Sequence, residues 1–110
     1  MSEIGYMRER GFDKLTDEEK EKVLNWIKEN LNAIKSPNLK MTAYGLKHLF
    51  EDDYGGFYIT NRQMIEALLK CGFETKAGDE TNRCFNISSL SIRAIKRRIN
   101  KKKGCNYYFI

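Results

Sequence analysis

Tyr54-Gly55-Gly56-Phe57-Tyr58-Ile59-Thr60-Asn61 places two glycines, three aromatic residues and a helix-start signal in eight positions. What this stretch connects decides how the chain on either side is read. Before it, Glu51-Asp52-Asp53 closes a segment with helical spacing, and Gly55-Gly56 supplies the backbone freedom that a sharp reversal needs. Phe57-Tyr58-Ile59 is short, aromatic and β-branched, a composition that favours an extended strand. Thr60-Asn61-Arg62-Gln63 has the T-x-x-Q form of a capping box, so a new helix is expected from Asn61. The stretch reads as a connector between two helices that holds one short strand.

Upstream, a helix is expected from its cap at Thr42 to about Asp52, with Leu46, Leu49 and Phe50 toward the core and Tyr44 nearby. Gly45 inside it costs about 1 kcal/mol relative to alanine, which points to a close helix contact. Further back, Thr16-Asp17-Glu18-Glu19 forms another capping box, and its acids suit the positive end of the helix dipole. Val23, Leu24, Ile27, Leu31 and Ile34 then recur at helical spacing, with Trp26 beside them, until Ser36-Pro37-Asn38 breaks the pattern. Residues 1–14 show no period and read as a lead-in.

Downstream, a helix over residues 61–71 turns Met64, Ile65, Leu68 and Leu69 inward and Asn61, Arg62, Gln63, Glu66 and Lys70 outward. Gly72 sits where a left-handed cap is expected, and Phe73 where an apolar contact seals it. Residues 73–76 and 83–87 alternate in polarity around the turn formers of 77–82, which reads as an antiparallel β-hairpin. From Ser88 to Lys103 a fourth helix carries Leu90, Ile92, Ile95 and Ile99 on one face; Gly104 closes it, and residues 105–110 can form a terminal strand.

The order helix, short strand, helix, hairpin is that of a winged helix-turn-helix. The expected class is therefore α+β: one mainly helical domain over residues 1–110, with residues 42–88 as helix-turn-helix plus wing and residues 89–103 as a basic helix. A chain of 110 residues suits one compact core.

Catalysis finds no foothold. There is one histidine, His48, and no metal-ligand spacing, nucleophile motif or glycine-rich phosphate loop, so neither an enzyme nor a cofactor is expected. Cys71, Cys84 and Cys105 lack a CxxC pair and read as small buried hydrophobes in a reducing compartment. Glu51-Asp52-Asp53 reads as a solvated acidic helix end rather than a cation site. No apolar run spans a bilayer and no signal core opens the chain, so no membrane association and a cytoplasmic location are expected.

Charge is the informative feature. Residues 1–53 carry a net −2 and residues 54–110 a net +7. Arg93, Lys96, Arg97, Arg98, Lys101, Lys102 and Lys103 fall within eleven positions that hold no acid, a block that attracts polyanions, nucleic acid foremost. In a winged-helix frame, Asn61, Arg62 and Gln63 are suitable types to meet base edges in a major groove, and Lys70 on the same helix is a further candidate nucleic-acid contact. Lys76 and Arg83 at the wing base would meet backbone, whereas Asp79 and Glu80 at its tip oppose phosphate. The basic helix would grip phosphates without reading sequence.

Thr42-Ala43-Tyr44-Gly45-Leu46-Lys47-His48, then Tyr58-Ile59-Thr60-Asn61, then Gly72-Phe73 resemble short proteins of phages and prophages with a YGLKH…YxTN…GF pattern. The likeness spans residues 42–88 and implies a mobile-element origin within a bacterial host, without implying an activity. The same part looks like winged-helix modules attached to viral primase-helicases, although no Walker motif is present. The function expected is a small phage or prophage DNA-binding protein, a transcription regulator or replication accessory. The alternative is an anti-defence inhibitor, such as an anti-CRISPR protein, that sets the same surface against a host defence nucleoprotein. The helix that begins after Thr16 and Tyr107-Tyr108-Phe109-Ile110 either complete the core or form a homodimer surface.

Overall fold

Every α-helix in the computed structural model, which describes residues 9–77 and 83–110 with the side chains of residues 76 and 77 excepted, starts at a hydroxyl. Helix α1 (Asp17–Asn30) and helix α3 (Asn61–Lys70) both begin in complete capping boxes, at Thr16 with Glu19 and at Thr60 with Gln63. In α2 (Ala43–Asp52) the Thr42 hydroxyl accepts from Gly45 N–H, and in α4 (Ser89–Lys103) Ser88 accepts from Leu90 N–H. Each such cap stabilises its helix by about 1 kcal/mol. A 3-10 turn (Phe12–Lys14) precedes α1.

The helix ends are equally local in origin. Gly72 and Gly104 take positive φ angles of 89° and 72°. Phe73 N–H returns to Leu68 O at 3.1 Å and its ring is buried, the sealed left-handed cap that the sequence suggests. Helix α1 ends earlier than its apolar spacing suggests. Leu31 turns extended, and Ile34 lies outside the helix, exposed.

One core gathers Val23, Trp26 and Ile27 of α1, Leu46, Leu49 and Phe50 of α2, Met64, Ile65 and Leu68 of α3, and Ile92, Ile95 and Ile99 of α4. Trp26 and Phe57 each meet Phe50 edge-on, at 5.4 and 5.1 Å. Leu69 and Leu90, assigned inward from their spacing, are exposed at the margins of their helices.

The α+β winged class does not hold; the chain is mainly helical. Residues 57–59 form no strand. Their connector is set by helix α2: Gly56 packs directly on the Phe50 carbonyl, and Ile59 N–H donates to the Glu51 carboxylate at 3.1 Å, so that amide is not offered to a neighbouring strand. The extended pairing of β1 (Thr75–Ala77) with β2 (Cys84–Phe85) is two residue pairs deep with a break in register, and does not amount to the expected β-hairpin wing. The turn expected between them lies, from residue 78 on, outside the described residues. The backbone around β2 is instead engaged with the α1–α2 connection: Ser88 N–H to Asn32 O, Ile34 N–H to Asn86 O, Asn38 N–H to Phe85 O and Ala43 N–H to Arg83 O, all between 2.8 and 2.9 Å. The segment after α4 forms no strand either. It folds back on its own helix, where the Asn100 amide donates to Tyr108 O at 2.8 Å and accepts from Tyr108 N–H at 2.7 Å. No helix among the described residues is long and apolar enough to cross a membrane.

Candidate nucleic-acid interface

Helix α4 sorts its seven cations by direction. Ile92, Ile95 and Ile99 face the core, which leaves Arg93, Arg97 and Lys101 on the far side, exposed and four residues apart. At 1.5 Å per residue, successive members stand about 6 Å apart along the axis. None of the three bonds to or pairs with another described residue. They form a stripe of uncompensated positive charge one side chain wide.

The other four are engaged. Arg98 turns inward to Asp53, a residue only 3% exposed. Its Nε donates to Asp53 Oδ1 at 3.0 Å, one Nη makes a second, shorter bond to Oδ2, and the same nitrogen reaches Asn30 Oδ1 at 2.9 Å. Trp26 Nε1 donates to the same carboxylate at 2.9 Å and Tyr54 N–H at 2.8 Å. Burial pushes the Asp53 carboxyl up, but the bonds from Arg98, Trp26 and Tyr54 outweigh it and hold it below its ordinary value. The bond to Asp53 in turn raises the Arg98 guanidinium above its own. Lys102 Nζ donates to Asp52 O at 3.0 Å and lies 5.2 Å from the Tyr54 ring centroid. Lys103 stands over Tyr107 at 4.3 Å, and Lys96 donates to Phe109 O at 3.4 Å.

The start of α3, expected to meet bases, is covered. Asn61 and Gln63 are each 4% exposed. Gln63 Nε2 donates to Gly11 O at 3.0 Å, Thr60 Oγ1 donates to Arg10 O at 2.6 Å, and the Glu9 carboxylate accepts from Arg62 N–H at 3.0 Å. Phe12 N–H reaches Glu66 at 2.7 Å, and Arg62 Nε pairs with the same residue at 3.1 Å. Residues 9–12 thus lie across the first turns of α3, with Glu9 where free amides and the helix dipole favour an anion. The outward reading of Asn61 and Gln63 is corrected accordingly. Lys70 remains exposed, 5.4 Å from the Phe12 ring centroid. Arg83 is half-buried and its carbonyl holds the start of α2. Lys76 lies in β1 with its side chain outside the described residues, as are Asp79 and Glu80.

The acidic run at the end of α2 diverges rather than converging on a cation. Glu51 pairs with the buried Lys47 at 2.8 Å and with His48 at 3.3 Å, Asp52 accepts from the Tyr108 hydroxyl, and Asp53 belongs to Arg98. Burial, followed by the bond to Asp52, raises the Tyr108 phenol above its ordinary pKa. Cys84 is buried and Cys71 half-buried, but Cys105 is exposed, against the expectation of a buried residue.

Two features of this face escape a reading of local spacing. Tyr107 and Phe109 of the folded-back segment are exposed beside the basic helix. Next to them a groove of about 190 Å³ opens between α4 and the connection before α2, lined by the cations Lys40, Arg93 and Lys96 and by Met41, Ile92 and Phe109, with no acidic side chain in its wall. The aromatic run directly after the basic block is the one sequence signal that could have pointed there. In comparison with known proteins, the chain matches no family model, no curated protein and no solved structure, so the resemblance carried by residues 42–88 stands on those residues alone.

Proposed function

We propose that this chain binds nucleic acid through the outward stripe of α4, gripping phosphates without reading bases. The observation that carries the reading is the exposure of Arg93, Arg97 and Lys101 at one-turn intervals with no carboxylate partner among the described residues. A solvated helix face usually mixes signs, so that neighbours four apart attract one another. Here three like charges repel along one line, a cost a polyanion would remove. Lys101 gains from the dipole at the helix C-terminus, but Arg93 and Arg97 lie too far back for that benefit. Recognition of base edges by α3 is no part of the proposal, because its first turn is occupied by residues 9–12. The resemblance in residues 42–88 supports a phage or prophage setting, with the bacterial cytoplasm as the place of contact.

The test is a salt titration of binding to random-sequence duplex and single strand. Three phosphate contacts give a slope of log K against log salt of about −3 on duplex and about −2 on single strand. Arg97→Glu with Lys101→Glu should weaken binding to every sequence alike and bring the slope to about −1 or shallower. Absence of binding at low salt refutes the proposal and points the same stripe at an acidic protein, as an anti-defence inhibitor would use it.

A further inference from the structure

The cationic stripe of α4 does not stand alone. The segment after Gly104 runs back along the helix, Tyr107 beside Lys103, Tyr108 on Asn100 and Phe109 on Lys96. Successive residues alternate: Tyr108 is half-buried with its hydroxyl on Asp52, while Tyr107 is 55% and Phe109 93% exposed. Two unburied rings therefore stand along the helix that carries the stripe, Tyr107 beside Lys103 and Phe109 in one groove wall with Arg93 and Lys96. Where the segment ends, the groove combines Lys40, Arg93 and Lys96 at its rim with apolar Met41 and Ile92 beside Phe109.

A duplex makes poor use of this arrangement. Its phosphates could meet the stripe, but its bases are stacked on one another and present edges, not faces. A single strand offers both groups at once: phosphates for the cations and unstacked bases for the rings. The groove, at about 190 Å³, falls short of the roughly 300 Å³ at which pockets for drug-sized ligands begin and suits a single ring system. An all but fully exposed phenylalanine beside three cations is unfavourable in water and favourable against a base.

We infer that the ligand of this surface is single-stranded nucleic acid, with phosphates along Arg93, Arg97 and Lys101, bases stacked on Tyr107 and Phe109, and one base seated in the groove between Phe109 and Ile92. This inference rests on the nucleic-acid reading of α4 and specifies it.

The experiment is fluorescence anisotropy of the full chain with labelled oligo(dU), oligo(U) and a mixed-sequence duplex of the same length. Wild type is expected to bind a single strand at least about tenfold more tightly than duplex. Phe109→Ala and Tyr107→Ala are each expected to weaken single-strand binding by roughly 5- to 150-fold, the range for loss of one stacked base, while duplex binding stays as it was. Phe109→Trp, which keeps a ring, retains single-strand affinity. Both positions are exposed, and an unchanged thermal midpoint shows that the variants are folded. A preference for oligo(dU) or oligo(U), which share a base and differ in the sugar, assigns the sugar, and equal affinity assigns both. Equal binding of single strand and duplex, with alanine variants that bind like wild type, overturns the inference and leaves the phosphate reading standing. Failure to bind any of the three overturns both.

Discussion

Replacing Arg98 by alanine should destabilise the fold and spare the interface, while replacing its neighbour Arg97 should do the opposite. One helical step separates the two residues, and that step carries Arg98 into the Asp53 network and Arg97 out to solvent. Without Arg98, the carboxylate of Asp53, whose side chain is 2% exposed, keeps only the Trp26 and Tyr54 bonds. Removing one partner of a fully buried ion pair costs about 3–5 kcal/mol. The Arg98 side chain is 40% exposed, so water reaches the vacated position, and with two hydrogen bonds retained the cost falls to about 2 kcal/mol. For a domain near this size that corresponds to a fall in Tm of roughly 8–16 °C, read by circular dichroism at neutral pH. Arg97→Ala, at an exposed site without a partner, should stay within about 0.5 kcal/mol of wild type. Anisotropy at a temperature where all variants are folded then separates the roles: Arg97→Ala weakens binding uniformly and makes the salt slope shallower by about 1, and Arg98→Ala leaves both in place. An Arg98→Ala protein as stable as its parent, or one that loses affinity as Arg97→Ala does, would refute this division of the basic block.

The lowered Asp53 pKa gives a pH dependence of definite sign: its contribution is present above the ordinary carboxylate range and is lost as pH falls below about 4, so urea unfolding of Asp53→Asn should show a weaker acid dependence than wild type. In the connector, a Cβ at Gly56 would lie 1.9 Å from the Phe50 carbonyl oxygen, whereas one at Gly55 meets open space at a φ of 75°. Gly56→Ala should therefore cost about 3 kcal/mol or more and Gly55→Ala about 1–2 kcal/mol, and a reversed order of urea midpoints would show that the reversal is not set by that contact. Of the three cysteines, Cys105 should react fastest with a thiol reagent, Cys71 slowly because burial raises its pKa, and Cys84 only on unfolding; mass mapping of the modified peptides over time checks the order.

What the sequence determined by itself lies within a few residues of its own signals. Thr16, Thr42, Thr60 and Ser88 announce four helix starts because a hydroxyl meets an amide two or three residues on, and Gly72 and Gly104 announce two ends because a side chain resists their φ. The 3.6-residue spacing likewise names most of the core, failing at Ile34, which lies past the end of its helix, and at Leu69 and Leu90, where a face is wide enough for its edge to reach water. Tertiary structure decided everything that depends on a distant partner. Gln63 is chemically fit both to cap a helix and to meet a base, and only the arrival of Gly11, some fifty residues earlier, buries it. Seven cations look alike along α4 until Asp53 claims Arg98, the Asp52 carbonyl claims Lys102 and the returning chain takes Lys96 and Lys103. Residues 57–59 have strand composition, yet extended backbone becomes a strand only where a neighbour supplies hydrogen bonds, and at Ile59 the Glu51 side chain supplied one first. Caps and periodicity are local energies that sequence spacing encodes, whereas the direction of a side chain on a packed helix is set by what the rest of the chain brings against it.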